Sequence, residues 1–166
     1  MGEAPQTGRR TAPNDRDLVV FLLGTRINEL TAVRSWIPVI IAFRRMLAEL
    51  RAAPDSGLLA FRILYRPPRL VTTVQYWESA EKLYAYASDP AGRHRPAWTD
   101  FYRRSKAAGG RVGIWHETYL VPARSYESIY VAMPESGLAR AFGSAPVDHR
   151  TDRANDRLRG VRRDGG

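Results

Sequence analysis

Residues Leu18–Leu23, LVVFLL, are apolar at both alternating sets of positions, the pattern of a strand covered on both faces. A strand of that kind must lie centrally in a sheet, so the rest of the chain has to supply two covering layers. Ser35 is placed to cap a helix whose first turn accommodates Pro38, because an amide there has no intrahelical partner. Trp36, Ile40, Phe43, Leu47 and Leu50 then form one apolar stripe, and Pro54 and Gly57 end the helix. Two alternating runs follow, Leu58 to Tyr65 and Leu70 to Trp77. Arg66-Pro67-Pro68-Arg69 separates them, and its prolines forbid continuation of the ladder, which predicts a strand pair.

Ser79 caps a short second helix through Ser88, with Glu81 near its positive end. Pro96 cannot sit inside a helix that starts at Pro90, so a break is expected around His94 and Arg95, and a third helix from Pro96 to Lys106. Ala108-Gly109-Gly110 closes that helix. VGIWHETYLV reads as a strand, and Tyr126 to Met133 as a further one. The polar residues 1–17 read as a flexible lead, residues 18–142 as the folded domain, and the Asp- and Arg-rich residues 143–166 as a disordered tail.

Net charge is +9, yet 24 of the 26 basic residues are Arg and they are spread along the chain. No RNP, zinc-finger or helix-turn-helix signature accompanies them, which argues against nucleic acid as the partner. Cysteine is absent, which removes thiol catalysis and zinc-thiolate sites. No apolar run is long enough for a membrane span, and the first residues lack an apolar leader, so a cytoplasmic address without membrane association is expected.

The element order β-α-β-β-α-β with an extra C-terminal strand is that of an α+β, ferredoxin-like fold, with both helix layers on one face of an antiparallel sheet. The other face is apolar in its central strand and needs cover. A homodimer packing sheet against sheet, a dimeric α+β barrel, would hide it and leave one pocket per subunit between sheet and helices.

The stretch YWESAEKLYAYASDPAGRH, Tyr76 to His94, resembles the antibiotic-biosynthesis-monooxygenase superfamily in its Trp77-Glu78-Ser79 strand end, its helix, and Ser88-Asp89 followed by a histidine. RINEL around Asn28, His94 with Pro96-Ala97-Trp98, and Gly113 to Tyr119 are similar to a monooxygenase-like branch of actinobacteria and fungal terpenoid clusters. The resemblance implies an oxidoreductase of small molecules. It extends to bacterial haem-degrading members, in which a histidine at the place of His94 is the iron ligand. Their tryptophan falls on Tyr86 and their strand asparagine near Thr25, so two of three signature positions depart.

His94, His116 and Arg26 are the catalytic candidates. A neutral imidazole at position 94 could ligate haem iron, accept a proton or bond a backbone carbonyl. His116 sits mid-strand with Trp115 and Glu117 on the opposite face, so His116 and Glu117 cannot share a pocket. HETYL lacks the second histidine of a zinc motif. Asn28, Trp36, Phe43, Tyr65, Tyr86 and Trp98 are substrate-binding candidates, although the stripe Trp98, Phe101 and Tyr102 also has the spacing of ordinary core. Arg26 and Arg62 would need a buried partner or bound anion if they faced the helices. The expected cofactor is none or haem. The leading expectation is a monooxygenase acting on a hydrophobic small molecule in specialised metabolism, with His94 as base or haem ligand. The alternatives are a haem protein for dehydratase, peroxide or haem-handling chemistry, and a non-catalytic dimeric binding module.

Overall fold

The computed structural model describes residues 4–88 and 95–159, with only the backbone described at Pro54, Arg95–Trp98 and Arg159. A short strand β1 (Arg9–Thr11) precedes the central strand β2 (Leu18–Ile27). Helix α1 (Val33–Arg51) and a single 3-10 turn (Pro54–Ser56) lead to the pair β3 (Leu58–Arg66) and β4 (Leu70–Trp77). Helices α2 (Ala80–Ser88) and α3 (Arg95–Ala107) come next, then β5 (Val112–Val121). β6 (Tyr130–Val131), α4 (Leu138–Phe142), β7 (Ala145–Pro146) and α5 (Ala154–Arg159) complete the described chain.

The main sheet has the order β3-β4-β2-β5, every pair antiparallel, as the ferredoxin-like element order requires. Register places Val19, Phe21 and Leu23 opposite Trp77, Gln75 and Thr73 on one neighbour and opposite Leu120, Thr118 and His116 on the other. This face meets the helices. Val39, Phe43, Met46, Leu47 and Leu50 of α1, Leu83 and Tyr86 of α2, and Phe101 of α3 close over it as one buried cluster. The amphipathic spacing of α1 thus does what its sequence indicates. Its start differs: the helix begins at Val33 after Ala32, with no side-chain cap, so Ser35 lies inside the first turn. Ser79 does cap α2, its Oγ accepting the amide of Lys82 at 3.2 Å.

The opposite face carries Leu18, Ala60, Val74 and Tyr76, and this chain covers that part of it with Tyr126, Leu138, Ala141 and Phe142. The strand after β5 shrinks to Tyr130–Val131 and joins a second sheet, β6-β1-β7, instead of the main one. Arg9–Thr11, in the segment read as a loose lead, pairs with both β6 and β7. Two buried polar residues tie the chain ends together. Asn14 Nδ2 donates to the carbonyls of Tyr126 and Arg157 at 3.0 and 2.7 Å, and Arg157 Nε donates to Glu127 Oε2 at 2.7 Å. Hydropathy patterning is blind to order held this way, because satisfied polar groups replace apolar burial.

Among the described residues no helix is long and apolar enough to cross a membrane.

Candidate active site

The predicted residues fall into separate places. Arg26 lies on the sheet face away from the helices, in the same set as Leu22 and Gly24, and Arg62 shares that face through its pairing with Val74. Neither enters the helix layer. Arg26 hydrogen-bonds through Nη1 to Asn28 Oδ1, and Asn28 Nδ2 donates to the carbonyl of Gly110 at 2.9 Å, so this pair ties β2 to the α3–β5 turn. Trp36 is half-buried with its Nε1 on the carbonyl of Leu30 at 3.0 Å. Phe43 is core, its ring centroid 5.4 Å from that of Phe101. Tyr65 is exposed on the edge strand β3. His116 is exposed on the helix-facing side of the other edge, β5, with its ring 5.7 Å from Phe21, and Glu117 points away from it and accepts from Tyr119 at 2.6 Å. His94 lies outside the described residues, as does the side chain of Trp98.

Tyr86 is where chemistry gathers. It projects from α2 into the helix–sheet layer, its ring centroid 5.7 Å from that of Trp77 at the end of β4. From Trp77 a buried polar track runs along the helix-facing side of β4. Trp77 Nε1 donates to Gln75 Oε1 at 3.0 Å, Gln75 Nε2 donates to Thr73 Oγ1 at 3.0 Å, and Thr73 Oγ1 donates to the carbonyl of Leu23 at 3.3 Å. All three side chains are essentially inaccessible. Register explains the line, since alternate residues of a strand share a face.

Burial, and secondarily the nearby Glu49 carboxylate, push the Tyr86 phenol up to about 12. It stays protonated at neutral pH, so its hydroxyl can donate a hydrogen bond and does not act as a base. Glu49, on α1, has one carboxylate oxygen, Oε2, buried with no hydrogen-bond partner among the described residues. A carboxylate oxygen left this way is costly unless something arrives to donate to it. Glu49 thus acts on Tyr86 through charge and not through a hydrogen bond between them: the Glu49 oxygen can accept an O–H hydrogen bond, and the Tyr86 phenol can give one.

Sequence reasoning missed Glu49, Gln75 and Thr73, although each left a trace. Glu49 continues the buried series Val39, Ala42, Met46 at three- and four-residue spacing, a carboxylate on an apolar stripe. Thr73 and Gln75 are polar residues on the core-facing side of a central strand.

The positions that would accompany a haem ligand at His94 do not suit that group. Thr25 is fully buried with Oγ1 donating to the carbonyl of Gly113 at 3.2 Å, and Tyr86 fills the layer beside Trp77. Among the described residues no group of three or more His, Cys, Asp or Glu is placed to hold a metal ion.

Comparison with known proteins gives a family model described as monooxygenase af470-like, matching residues 18–138. Monooxygenase af470 of Aspergillus fumigatus is 31% identical over 147 residues, covering 84% of this chain and 51% of the relative, so the chain spans about half the length of that curated protein. Among solved structures, the cofactor-independent oxygenase SnoaB of Streptomyces nogalater is 14% identical with a TM-score of 0.41, over 62% of this chain and 91% of its own. Protein SO0527 of Shewanella oneidensis is 12% identical with a TM-score of 0.44, over 72% and 97%.

Proposed function

Because the chain belongs to the monooxygenase af470-like family, we propose that it is a monooxygenase-like oxidoreductase transforming a hydrophobic small molecule in specialised metabolism, in the cytoplasm and without a bound cofactor. The observation that carries this reading is the buried Glu49 Oε2, without a hydrogen-bond partner among the described residues, whose charge helps raise the Tyr86 phenol within an aromatic helix–sheet layer. An electron-rich phenolic or enolic substrate has an acidic O–H to offer that oxygen. Once deprotonated, it transfers an electron to dioxygen, and recombination forms a substrate hydroperoxide. Loss of water then turns an activated methylene into a carbonyl: one oxygen atom ends on carbon, the other in water, and no external reductant is consumed. The protein supplies the base, the phenol that orients the substrate oxygen, and an apolar enclosure. His94, outside the described residues, is the second candidate base.

Homodimerisation through the sheet face away from the helices is part of the same proposal. Self-cover stops short of Leu64 and Tyr119, both about half exposed on that face.

Dioxygen uptake with anthrone as probe tests the reading. Wild-type protein should consume dioxygen and form the quinone, while Glu49→Gln, of equal size, should fall by about 10²-fold, the usual scale of a lost general base. Equal rates in Glu49→Gln and His94→Ala and wild type would overturn the assignment of the base. A haem titration of the full chain runs alongside. A Soret band lost in His94→Ala would replace this reading with haem binding.

A further inference from the structure

A cleft of about 480 Å³ lies between the two ends of the chain, lined by residues of the 11–15 and 142–157 segments together with Arg124 and Glu127. Most of its wall is outside residues 18–138, the family-matched part, and none of it includes Glu49 or Tyr86. Its volume is in the range of small-molecule sites, roughly 300–1,000 Å³.

The polar groups on its wall are unequally satisfied. Asn14 Nδ2 is held by the carbonyls of Tyr126 and Arg157, and Ser144 Oγ accepts from Arg10 Nε at 3.0 Å. Arg157 is different. Its side chain is only 8% exposed; Nε donates to Glu127 Oε2 at 2.7 Å, and Nη1 donates to the carbonyls of Thr151 and Asp152 at 2.9 and 2.8 Å. Nη2, with two further N–H groups, has no partner among the described residues. Arg124 lines the same cleft and makes no ion pair among the described residues. Its backbone is fixed at φ 64°, where its amide donates to the carbonyl of Asn14 at 2.7 Å. Of the two carboxylates on the wall, Glu127 is already paired with Arg157, and Asp15 is exposed at the rim, where water and salt screen it. The cleft therefore offers an unpartnered donor on a largely buried side chain and a second cation, and asks its occupant for acceptors. Phe142, Ala12 and Pro13 add an apolar wall, and the Phe142 ring is set by stacking on Tyr126 with centroids 6.3 Å apart.

We propose that this cleft binds a small monocarboxylic acid with an apolar body, its carboxylate on Arg157 Nη2 and Arg124 and its body against Phe142. This site is separate from the one assigned to the oxygenation.

Calorimetric titration of the full chain with octanoate, and with octanamide as the uncharged match, tests it. Octanoate should bind at one site per chain and at least about tenfold more tightly than octanamide, the scale of one charge-assisted hydrogen bond. Ala145→Trp, which fills the cleft, should abolish the binding, and Arg124→Gln, an exposed change that the fold tolerates, should weaken it by about threefold or more. Glu49→Gln should leave it unchanged. No saturable binding, equal affinity for the amide, or unaltered binding in Arg124→Gln would overturn the proposal.

Discussion

The indole N–H of Trp77 donates to Gln75 Oε1 at 3.0 Å, and both side chains are shut off from solvent. Gln75 in turn donates to Thr73, so one amide satisfies polar groups on both sides. Gln75→Leu keeps the volume and orphans the Trp77 N–H. The expected cost is about 1–3 kcal/mol, read as a lower urea midpoint with an unchanged slope.

Gly24 of β2 lies beneath the indole of Trp115 on β5, and a Cβ at position 24 would fall inside that ring. Gly24→Ala should therefore destabilise the fold by about 1–3 kcal/mol, as overpacking does. Combining it with Trp115→Ala should return much of that loss. A double-mutant cycle measures the coupling, and simple additivity would show that the ring moves freely aside.

The raised phenol of Tyr86 makes a prediction at alkaline pH. Below about pH 10 the group is protonated whether the chain is folded or not, so it contributes no pH dependence. Between there and its folded value of about 12 the unfolded chain loses the proton first, and stability falls as pH rises. Tyr86→Phe should flatten that part of the stability curve and remove the latest-titrating phenol from the ultraviolet titration. An unchanged curve would place the alkaline loss on other tyrosines.

Leu64 is 47% exposed on the sheet face away from the helices, beyond the reach of the C-terminal segment that covers Ala60 and Tyr76. If a second copy covers it, Leu64→Asp should convert a dimer to a monomer in sedimentation velocity, with the circular dichroism unchanged. A wild-type chain that sediments as a monomer at all concentrations would remove the dimer from the proposal.

Most of the main sheet and its helices was legible from local pattern. LVVFLL has the two-sided apolarity of a central strand, VGIWHETYLV became β5 at the same bounds, and the prolines at 67 and 68 separated β3 from β4. Periodicity reports such features because each depends on which side chains one element turns inward. By residue type Arg26 is a catalytic candidate and Asn28 a substrate-binding one, yet they hold each other and the carbonyl of Gly110. Residue type alone does not reveal whether a polar group is already satisfied.

What the sequence determined by itself was the layered α+β plan, since the spacing of apolar residues dictates which faces must be buried. The tertiary structure alone decided that the Glu49 charge acts on a Tyr86 phenol packed against Trp77, and that the N- and C-terminal segments close on each other through Asn14 and Arg157. Those relations join residues far apart in the chain through hydrogen bonds, charge and close contact. Their existence depends on how whole elements come to rest against one another, which no local periodicity encodes.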